Sequence, residues 1–251
     1  MLKIYIDAGH NYDLFGTGAT GNGMKEQDIT FEVGYLLKEI LQKDFEVKLS
    51  RPTLESNVGK DSTTSINLRW QEANAFKADY FISIHVNAGG GTGVETFFYK
   101  NETERSVRSK EFAVNVNDIY AREMGIRNRG VKQDTQTYVG SLGVLRYTNM
   151  PAILIELGFI DSPLVNPDID MLRNKKKEMA QALAKGIYFH TGVVPKWDVG
   201  TVRFSLFGEK IVDIDGYIED GVTFVKARQF AEELGYVVEW DGANKVAVIR
   251  R

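Results

Sequence analysis

The order of apolar and polar positions divides the first 190 residues into short apolar runs separated by amphipathic segments. This alternation is typical of chains in which helices cover both faces of a mostly parallel sheet. The sequence therefore predicts an α/β fold built on a mostly parallel, twisted sheet. The apolar runs, each bounded by Gly, Pro or polar residues, predict strands at 2–7, 46–49, 80–85, 94–99 and 152–156.

Two of the amphipathic segments carry apolar side chains at the spacing of a single helix face. The first stripe consists of Val33, Leu36, Leu37, Ile40 and Leu41, and the second of Met179, Ala180, Leu183, Ala184 and Ile187. We interpret both segments as helices that pack against the sheet.

The pattern changes after residue 191, where the first large domain (1–191) is predicted to end. The segment 192–200 contains Gly192, Pro195 and Gly200 and has no periodicity, which indicates a linker. Short alternating segments then predict a small α+β module at 201–251. Its predicted elements are strands at 202–207, 210–214, 236–240 and 245–249, a turn at Gly208-Glu209 and a helix at 225–234.

Composition narrows the kinds of partner and cofactor. The chain has 31 Lys and Arg against 34 Asp and Glu, which does not give the basic surface that nucleic-acid binding requires. Cysteine is absent, so thiolate metal sites, disulfides and cysteine nucleophiles are excluded and a metal would need His, Asp or Glu. No apolar run approaches the roughly 20 residues that span a bilayer, so we expect no membrane insertion.

Two histidines come at the ends of predicted strands. His10 follows the apolar run that begins the chain, and His85 ends the run that starts at Tyr80. In an open parallel sheet, ligands bind beyond the carboxyl ends of the strands. Both imidazoles are therefore predicted to project into one site, which suggests a metal ion.

A carboxylate ends a third apolar strand. Glu156 would be costly to bury without a partner, so we interpret it as a general base that acts on water. Catalytic zinc usually keeps three protein ligands and one open position. Glu26, which precedes the first helical stripe, is the candidate for the third ligand.

Each of these residues also has a purely structural interpretation. A histidine at a strand end can be a satisfied structural residue, and acidic residues such as Glu26 are common in the first turn of a helix. His190 lies at a helix end and is interpreted as structural. The segment 16–21 matches the dinucleotide fingerprint G-x-G-x-x-G, but it does not connect a strand directly to a helix, so we interpret it as a flexible loop beside the metal.

Several motifs in residues 1–190 together resemble the zinc N-acetylmuramoyl-L-alanine amidase family of the amidase-3 type. They are Ile6-Asp7-Ala8-Gly9-His10, Glu26, Ser50-Arg51, Arg69 with Ala73-Asn74, Ser83-Ile84-His85-Val86-Asn87, Gly93-Val94-Glu95 and Glu156-Leu157-Gly158-Phe159. The resemblance implies one zinc ion held by His10, Glu26 and His85, with Glu156 as the catalytic glutamate. Glu95 and Asn87 are left open between a direct role and one that orients a ligand.

The implied function of residues 1–191 is hydrolysis of the amide bond between the lactyl group of N-acetylmuramic acid and L-alanine in peptidoglycan. Two alternatives stay open: a zinc peptidase that acts on stem peptides, and a wall-binding protein without catalysis. No signal peptide is recognised at the start of the chain. We therefore expect a phage-type endolysin or an autolysin, made in the bacterial cytoplasm and acting on the cell wall after release or export.

The tail has a resemblance of its own. Asp213-Ile214-Asp215-Gly216-Tyr217, Ala231-Glu232-Glu233-Leu234-Gly235-Tyr236 and Glu239-Trp240-Asp241 resemble the copper amine oxidase N-terminal-like domain. Residues 201–251 contain no His, Met or Cys, so the ligands that copper prefers are missing. The resemblance implies wall attachment or homodimer formation through this module, and the sequence does not distinguish the two.

Overall fold

The chain divides into two compact units, Met1–Val194 and Pro195–Arg251. A computed structural model describes residues 1–137, 139–163, 167–195, 201–206, 210–219, 222–225, 227–241 and 246–250.

The first unit is organised around a mixed sheet. Its strands are β1 (Lys3–Ala8), β4 (Glu46–Leu49), β5 (Tyr80–Asn87), β6 (Val94–Phe98), β7 (Asn128–Gln133) and β8 (Ala152–Phe159), beside a short hairpin of β2 (Thr20–Gly21) and β3 (Met24–Lys25). The six strands of the sheet lie in the order β4-β1-β5-β8-β6-β7. The first four are mutually parallel, whereas β6 runs antiparallel to β8 and parallel to β7. The predicted mostly parallel α/β fold is confirmed.

Helices cover both faces of this sheet, as predicted. They are α1 (Glu26–Leu41), α2 (Ser62–Phe76), α3 (Glu104–Met124), α4 (Gly143–Arg146), α5 (Pro167–Asn174) and α6 (Lys176–Thr191). The two predicted apolar stripes belong to α1 and α6. Local signals fix the other two long helices: Asp61 caps α2 by accepting a hydrogen bond from the Thr64 amide, and Thr103 caps α3.

Side chains alternate between the two faces along each strand. One face carries Ile4, Ile6, Ile82, Ile84, Ile153 and Ile155, all buried, and packs against α1, α3 and α6. The other face carries a core cluster of Tyr5, Phe81, Phe97 and Leu154 with residues of α2 and α4. Asp7, His85 and Glu156 follow on this second face by the same alternation, so polar groups succeed the apolar core towards the carboxyl ends of β1, β5 and β8.

Three strands of the six-stranded sheet differ by more than one residue from the sequence-based expectation, and the hairpin of β2 and β3 was not predicted. Strand β5 continues to Asn87 and β8 to Phe159, so His85 and Glu156 lie inside strands rather than at their ends. Strand β7 was not predicted, because Val131 is its one apolar residue among six. Such a strand pairs on one side only, at the edge of the sheet, and needs little apolar surface.

The second unit contains β9 (Thr201–Leu206), β10 (Lys210–Glu219), β11 (Val222–Val225), α7 (Ala227–Glu233), β12 (Val237–Asp241) and β13 (Val246–Arg250). Strands β9, β10 and β11 form an antiparallel sheet, and β12 pairs with β13. Strand β11 was not predicted, β10 continues to Glu219 rather than ending at residue 214, and the helix begins at Ala227 rather than at residue 225. The predicted turn at Gly208-Glu209 and residues 196–200 of the predicted linker lie outside the described residues.

Candidate active site

His10 and His85 reach the site from neighbouring parallel strands. His10 follows β1 in the left-handed conformation, with φ of 66°, which few residues other than glycine adopt. The preceding amide of Gly9 donates to the carbonyl oxygen of Ile84 at 3.0 Å, which ties this turn to β5. A Cβ atom at Gly9 would lie 2.6 Å from His85 Nε2, so only glycine lets the two histidines approach.

Glu26 reaches the same point from the first residue of α1. Its buried carboxylate accepts hydrogen bonds from the Val86 amide through Oε1 and from the Ala19 amide through Oε2, both at 2.9 Å. A Cβ atom at Gly18 would lie 2.7 Å from Glu26 Oε2. The glycine-rich loop after His10 therefore serves to enclose Glu26, in keeping with its interpretation as a loop beside the metal.

The donor atoms of these three side chains converge. Glu26 Oε1 lies 3.0 Å from His10 Nε2 and 3.1 Å from His85 Nδ1, and the two ring nitrogens are 3.1 Å apart. Ligands placed about 2.0–2.1 Å from a tetrahedral zinc ion are separated by roughly 3.3 Å, close to this spacing. His10, Glu26 and His85 are thus suited to hold a metal ion.

The surroundings orient the ligands and shift the pKa values of two of them. His10 Nδ1 lies 3.1 Å from the carbonyl oxygen of Gly16, so Nδ1 donates to it and the ring turns Nε2 towards the centre. Burial lowers the pKa of His85 and favours its neutral form. Burial opposes ionisation of Glu26, but hydrogen bonds with the two imidazoles outweigh it and lower its pKa.

A buried arginine holds the chain around His10. Arg69 Nη1 donates to the carboxylate of Asp7, and Nη2 donates to the carbonyl oxygen of His10 and to Asn11 Oδ1. Ser83 Oγ donates to the second oxygen of Asp7 at 2.7 Å. Burial opposes ionisation of Asp7, but Arg69 outweighs it and lowers the pKa of that carboxyl.

Glu156 lies beside the ligands and has an oxygen without a partner. It is directly opposite His85 in the pairing of β5 with β8, and directly opposite Glu95 in the pairing of β8 with β6. Glu156 Oε2 is buried and accepts no hydrogen bond within the described residues. Burial, together with the charges of Glu26 and Glu95, raises the pKa of Glu156 well above its ordinary value. An orphaned carboxylate oxygen of this kind is ready to accept a proton.

Comparison with known proteins identifies the family. The pattern of the N-acetylmuramoyl-L-alanine amidase family matches residues 4–188, about three quarters of the chain. This chain belongs to that amidase family. A second pattern, that of the copper amine oxidase N-terminal domain, matches residues 206–251.

Relatives of this amidase family member include bacterial and phage proteins. The chain is 34% identical to N-acetylmuramoyl-L-alanine amidase CwlM of Bacillus licheniformis over 74% of its own length and 66% of the relative's. It is 36% identical to the endolysin of Bacillus phage SPP1 over 73% of its length and 64% of the relative's. The matched part therefore spans slightly less than two thirds of these relatives.

Solved structures give the same fold for the amidase unit. The catalytic domain of CwlV, an N-acetylmuramoyl-L-alanine amidase from Bacillus (Paenibacillus) polymyxa var. colistinus, is 27% identical, with a TM-score of 0.64 over 77% of this chain and all of that one. An N-acetylmuramoyl-L-alanine amidase from Clostridium difficile 630 is 26% identical, with a TM-score of 0.61 over 76% of this chain and 97% of that one. Across the described parts of the chain, every helix is too short or too polar to cross a membrane.

A charged cluster lies on the opposite side of Glu156 from the ligands. Glu95 Oε1 accepts from Asn87 Nδ2 at 2.7 Å, and Oε2 accepts from Arg129 Nε at 2.8 Å and from Lys132 Nζ. Burial opposes ionisation of Glu95, but the hydrogen bonds from both cations lower its pKa. Glu95 is therefore ionised and its oxygens are fully engaged, and Asn87 orients it.

A cavity of about 380 Å³ opens next to His10 and His85. Its wall combines apolar side chains of Ile66, Leu142 and Val144 with small polar ones such as Ser62 and Ser65. Among the described residues, its lining comes from β1, β5, α2, α4 and neighbouring loops together with Leu154 of β8, and it includes no member of the charged cluster around Glu95.

His190 lies apart from the candidate active site. Its ring packs between those of Phe112 and Tyr80, at centroid distances of 4.9 and 5.2 Å, and its Nδ1 accepts from Asn115 Nδ2 at 3.0 Å. Burial lowers its pKa. Tyr80 begins β5 whereas His85 lies near its end, so the structural interpretation of His190 agrees with its position.

Sequence reasoning from the residues alone missed the charged cluster and the frame around His10. Arg129 and Lys132 lie on the unpredicted strand β7, and Arg69 lies on a helix with little apolar periodicity. The sequence did contain a signal for a cation such as Arg69. Asp7 lies in an apolar strand, where its carboxylate needs a positively charged partner.

Proposed function

We propose that this protein hydrolyses the amide bond between the lactyl group of N-acetylmuramic acid and L-alanine of the peptidoglycan stem peptide. The observation that carries the proposal is the convergence of His10, Glu26 and His85 beside the unpartnered oxygen of Glu156. Membership of the amidase family, and the names of relatives that share this region, support the choice of substrate.

The proposed cofactor is one zinc ion, held by His10, Glu26 and His85. Two imidazoles and a carboxylate form a donor set typical of catalytic zinc, and their spacing fits tetrahedral coordination. When bound, zinc supplies Lewis acidity that polarises a carbonyl group and makes water more acidic.

Glu156 is proposed to move the proton. Its free Oε2 would take a proton from the attacking water and later give it to the departing nitrogen of alanine. The raised pKa suits both steps, since a carboxyl group whose pKa lies nearer the working pH takes up a proton more readily and can still release it. No covalent bond between enzyme and substrate is required in this scheme.

Analysis of products from purified cell walls tests the proposal. We expect new muramic lactyl carboxylates and intact stem peptides by mass spectrometry, and no release when a chelator is present. Glu156→Gln should keep the fold and the zinc content and lose at least about a hundredfold in rate, the usual contribution of a general base. Wild-type release by that variant would remove Glu156 from the scheme.

The same product analysis separates the alternatives. A zinc peptidase would leave shortened stem peptides and no new lactyl carboxylates. A wall-binding protein without catalysis would sediment with walls and release no amines in the presence of zinc. The ligands, the base and the adjacent cavity favour an enzyme over a binding protein, and membership of the amidase family favours the amidase over the peptidase.

The two units are proposed to have separate roles. Residues 1–191 form the zinc amidase domain, 192–200 the linker and 201–251 a module for wall attachment or homodimer formation; the division into two compact units supports this assignment. Sedimentation of residues 1–251 with walls and in free solution distinguishes the two roles of the module.

The proposed biological role is lysis of the bacterial cell wall, by a phage-type endolysin or an autolysin. Relatives named as a bacterial N-acetylmuramoyl-L-alanine amidase and as a phage endolysin support this pair of roles. The protein would then act on the wall after release or export from the cytoplasm where it is made. External addition to living cells and expression with a membrane-permeabilising protein would show which route gives lysis.

A further inference from the structure

Two cations border the proposed catalytic row on the side away from the cavity. His85, Glu156 and Glu95 lie directly opposite one another on β5, β8 and β6, so their side chains share one face. Arg129 and Lys132 on β7 extend this row by one strand. Neither cation enters the proposed scheme for proton transfer.

The cluster has one positive charge in excess. In the described part of the chain, Arg129 and Lys132 share the single carboxylate of Glu95. Their side chains are 26% and 30% exposed, so both are partly open to solvent. Lysine has three donors and arginine five, of which Glu95 uses one from each. The pair can therefore accept a second anion.

The position of the cations is well defined. The guanidinium of Arg129 lies over the ring of Phe159, 4.9 Å from its centroid, and Nη1 donates to the carbonyl oxygen of Thr92 at 3.4 Å. Glu95 is buried, and its carboxylate fixes both the guanidinium of Arg129 and the ammonium group of Lys132. A cation pair held in this way loses little conformational entropy when it binds an anion.

The distance between the two cations and Glu156 indicates which part of a substrate the cations could bind. Glu95 is one strand spacing from Glu156, so the cationic groups lie about 5–10 Å from the proposed base. Two residues of extended peptide span about 7 Å. The anion would therefore lie on the second residue after the cleaved amide.

The opposite side of the site offers no comparable group. Among the described residues, the charged groups that line the cavity beside the histidines are Asp7 and Arg69, which neutralise each other. That side suits the uncharged acetylated sugar. The second residue of a stem peptide is a glutamate that is joined to the next residue through its side chain. Its α-carboxyl group is therefore left over, and this group is either free or amidated.

We propose that Lys132 and Arg129 form a carboxylate-binding subsite for the second residue of the stem peptide. The inference rests on the proposed amidase function. It predicts that the enzyme prefers stems with a free α-carboxylate over stems in which that group is a primary amide.

The test compares two soluble substrates that differ only in this group. They are N-acetylmuramoyl-L-alanyl-γ-D-glutamyl-L-lysine and the same compound with the α-carboxyl amidated. We expect kcat/KM of the zinc-loaded wild-type protein to be about tenfold higher for the free acid, the lower end for a charged hydrogen bond because both cations are partly exposed. The preference should shrink as ionic strength rises.

Variants locate the subsite. In Lys132→Ala the ratio of the two kcat/KM values should fall towards one, and Lys132→Arg should restore it, because the positive charge returns. Lys110→Ala is the matched control, since it removes an exposed lysine of α3 and should leave the ratio unchanged. If Lys132→Ala fails to fold, the salt dependence of the wild-type ratio still tests the charge.

The outcomes separate this inference from the proposed function. If neither compound is cleaved, the proposed amidase function is refuted, and the proposed subsite, which rests on it, is refuted too. If both are cleaved equally well by the wild-type protein, the amidase stands and the subsite is overturned. A preference for the free acid that survives in Lys132→Ala also overturns the subsite. In that variant Glu95 neutralises Arg129, so no excess positive charge is left in the cluster to explain the preference.

Discussion

Arg69 should control the affinity for zinc without touching the metal. We expect Arg69→Lys to weaken zinc binding, because lysine keeps a positive charge beside Asp7 but loses the second arm that reaches the carbonyl oxygen of His10 and Asn11. Lysine is preferred to alanine here, since an uncompensated Asp7 in the core would cost about 3–5 kcal/mol and unfold part of the protein.

The magnitude follows from the backbone of His10. The left-handed conformation costs a non-glycine residue roughly 1–2 kcal/mol, and Arg69 helps to hold it in the metal-free protein. Once that hydrogen bond is lost, zinc binding itself must supply the free energy that holds His10 in this conformation. A penalty of this size corresponds to a factor of about 5–30 in the dissociation constant.

Competition with a chromophoric chelator measures this change directly. Arg122→Lys provides the matched control, because Arg122 is 70% exposed on α3 and undergoes the same chemical change far from the site. Its zinc affinity should equal that of the wild-type protein. If Arg69→Lys folds normally and binds zinc as tightly as the control, the argument that Arg69 positions His10 is wrong.

Three further changes probe other parts of the structure. Folding raises the pKa of Glu156, so this residue destabilises the metal-free protein increasingly as pH rises above about 4.3. Glu156→Gln should therefore raise the midpoint of urea denaturation more at pH 7.5 than at pH 4.5. An equal shift at both pH values would contradict this. Gly18→Ala should displace Glu26 and abolish tight zinc binding in the chelator assay, whereas Gly34→Ala meets only a flexible leucine methyl and should retain it. His190→Asn should lower the free energy of unfolding by about 1 kcal/mol and leave zinc affinity unchanged; a loss of zinc would contradict its structural assignment.

Much of the sheet was readable from the sequence because its strands are apolar and parallel. The apolar runs before His10, His85 and Glu156 predicted their strands, and the structure places His10 beside His85 and His85 opposite Glu156, although the last two lie inside their strands. Residues near the carboxyl ends of adjacent strands can be predicted to share a site wherever those strands are parallel. Glu26 was placed mainly by family resemblance, since nothing local distinguishes it from an ordinary first-turn acid.

The parts that escaped prediction share a physical cause. Helix α2 buries Ser65 and Arg69 rather than a continuous apolar stripe, because its inner face supports a polar frame. Strand β7 presents Arg129 and Lys132 at the sheet edge, and their shared partner Glu95 is more than thirty residues away in the sequence. Neither the strand order nor these pairings follow from periodicity.

The reversed direction of β6 and β7 separates the chemistry of the site from its selectivity. The metal ligands depend on β1, β5 and α1, whereas the carboxylate subsite depends on β6 and β7, and Glu156 on β8 stands between them. Changes at the start of β6 or along β7 can therefore alter which wall chemotype is accepted while the ligand frame is conserved. Segment exchange along β7 offers a route to redirect such an enzyme from one bacterial host to another.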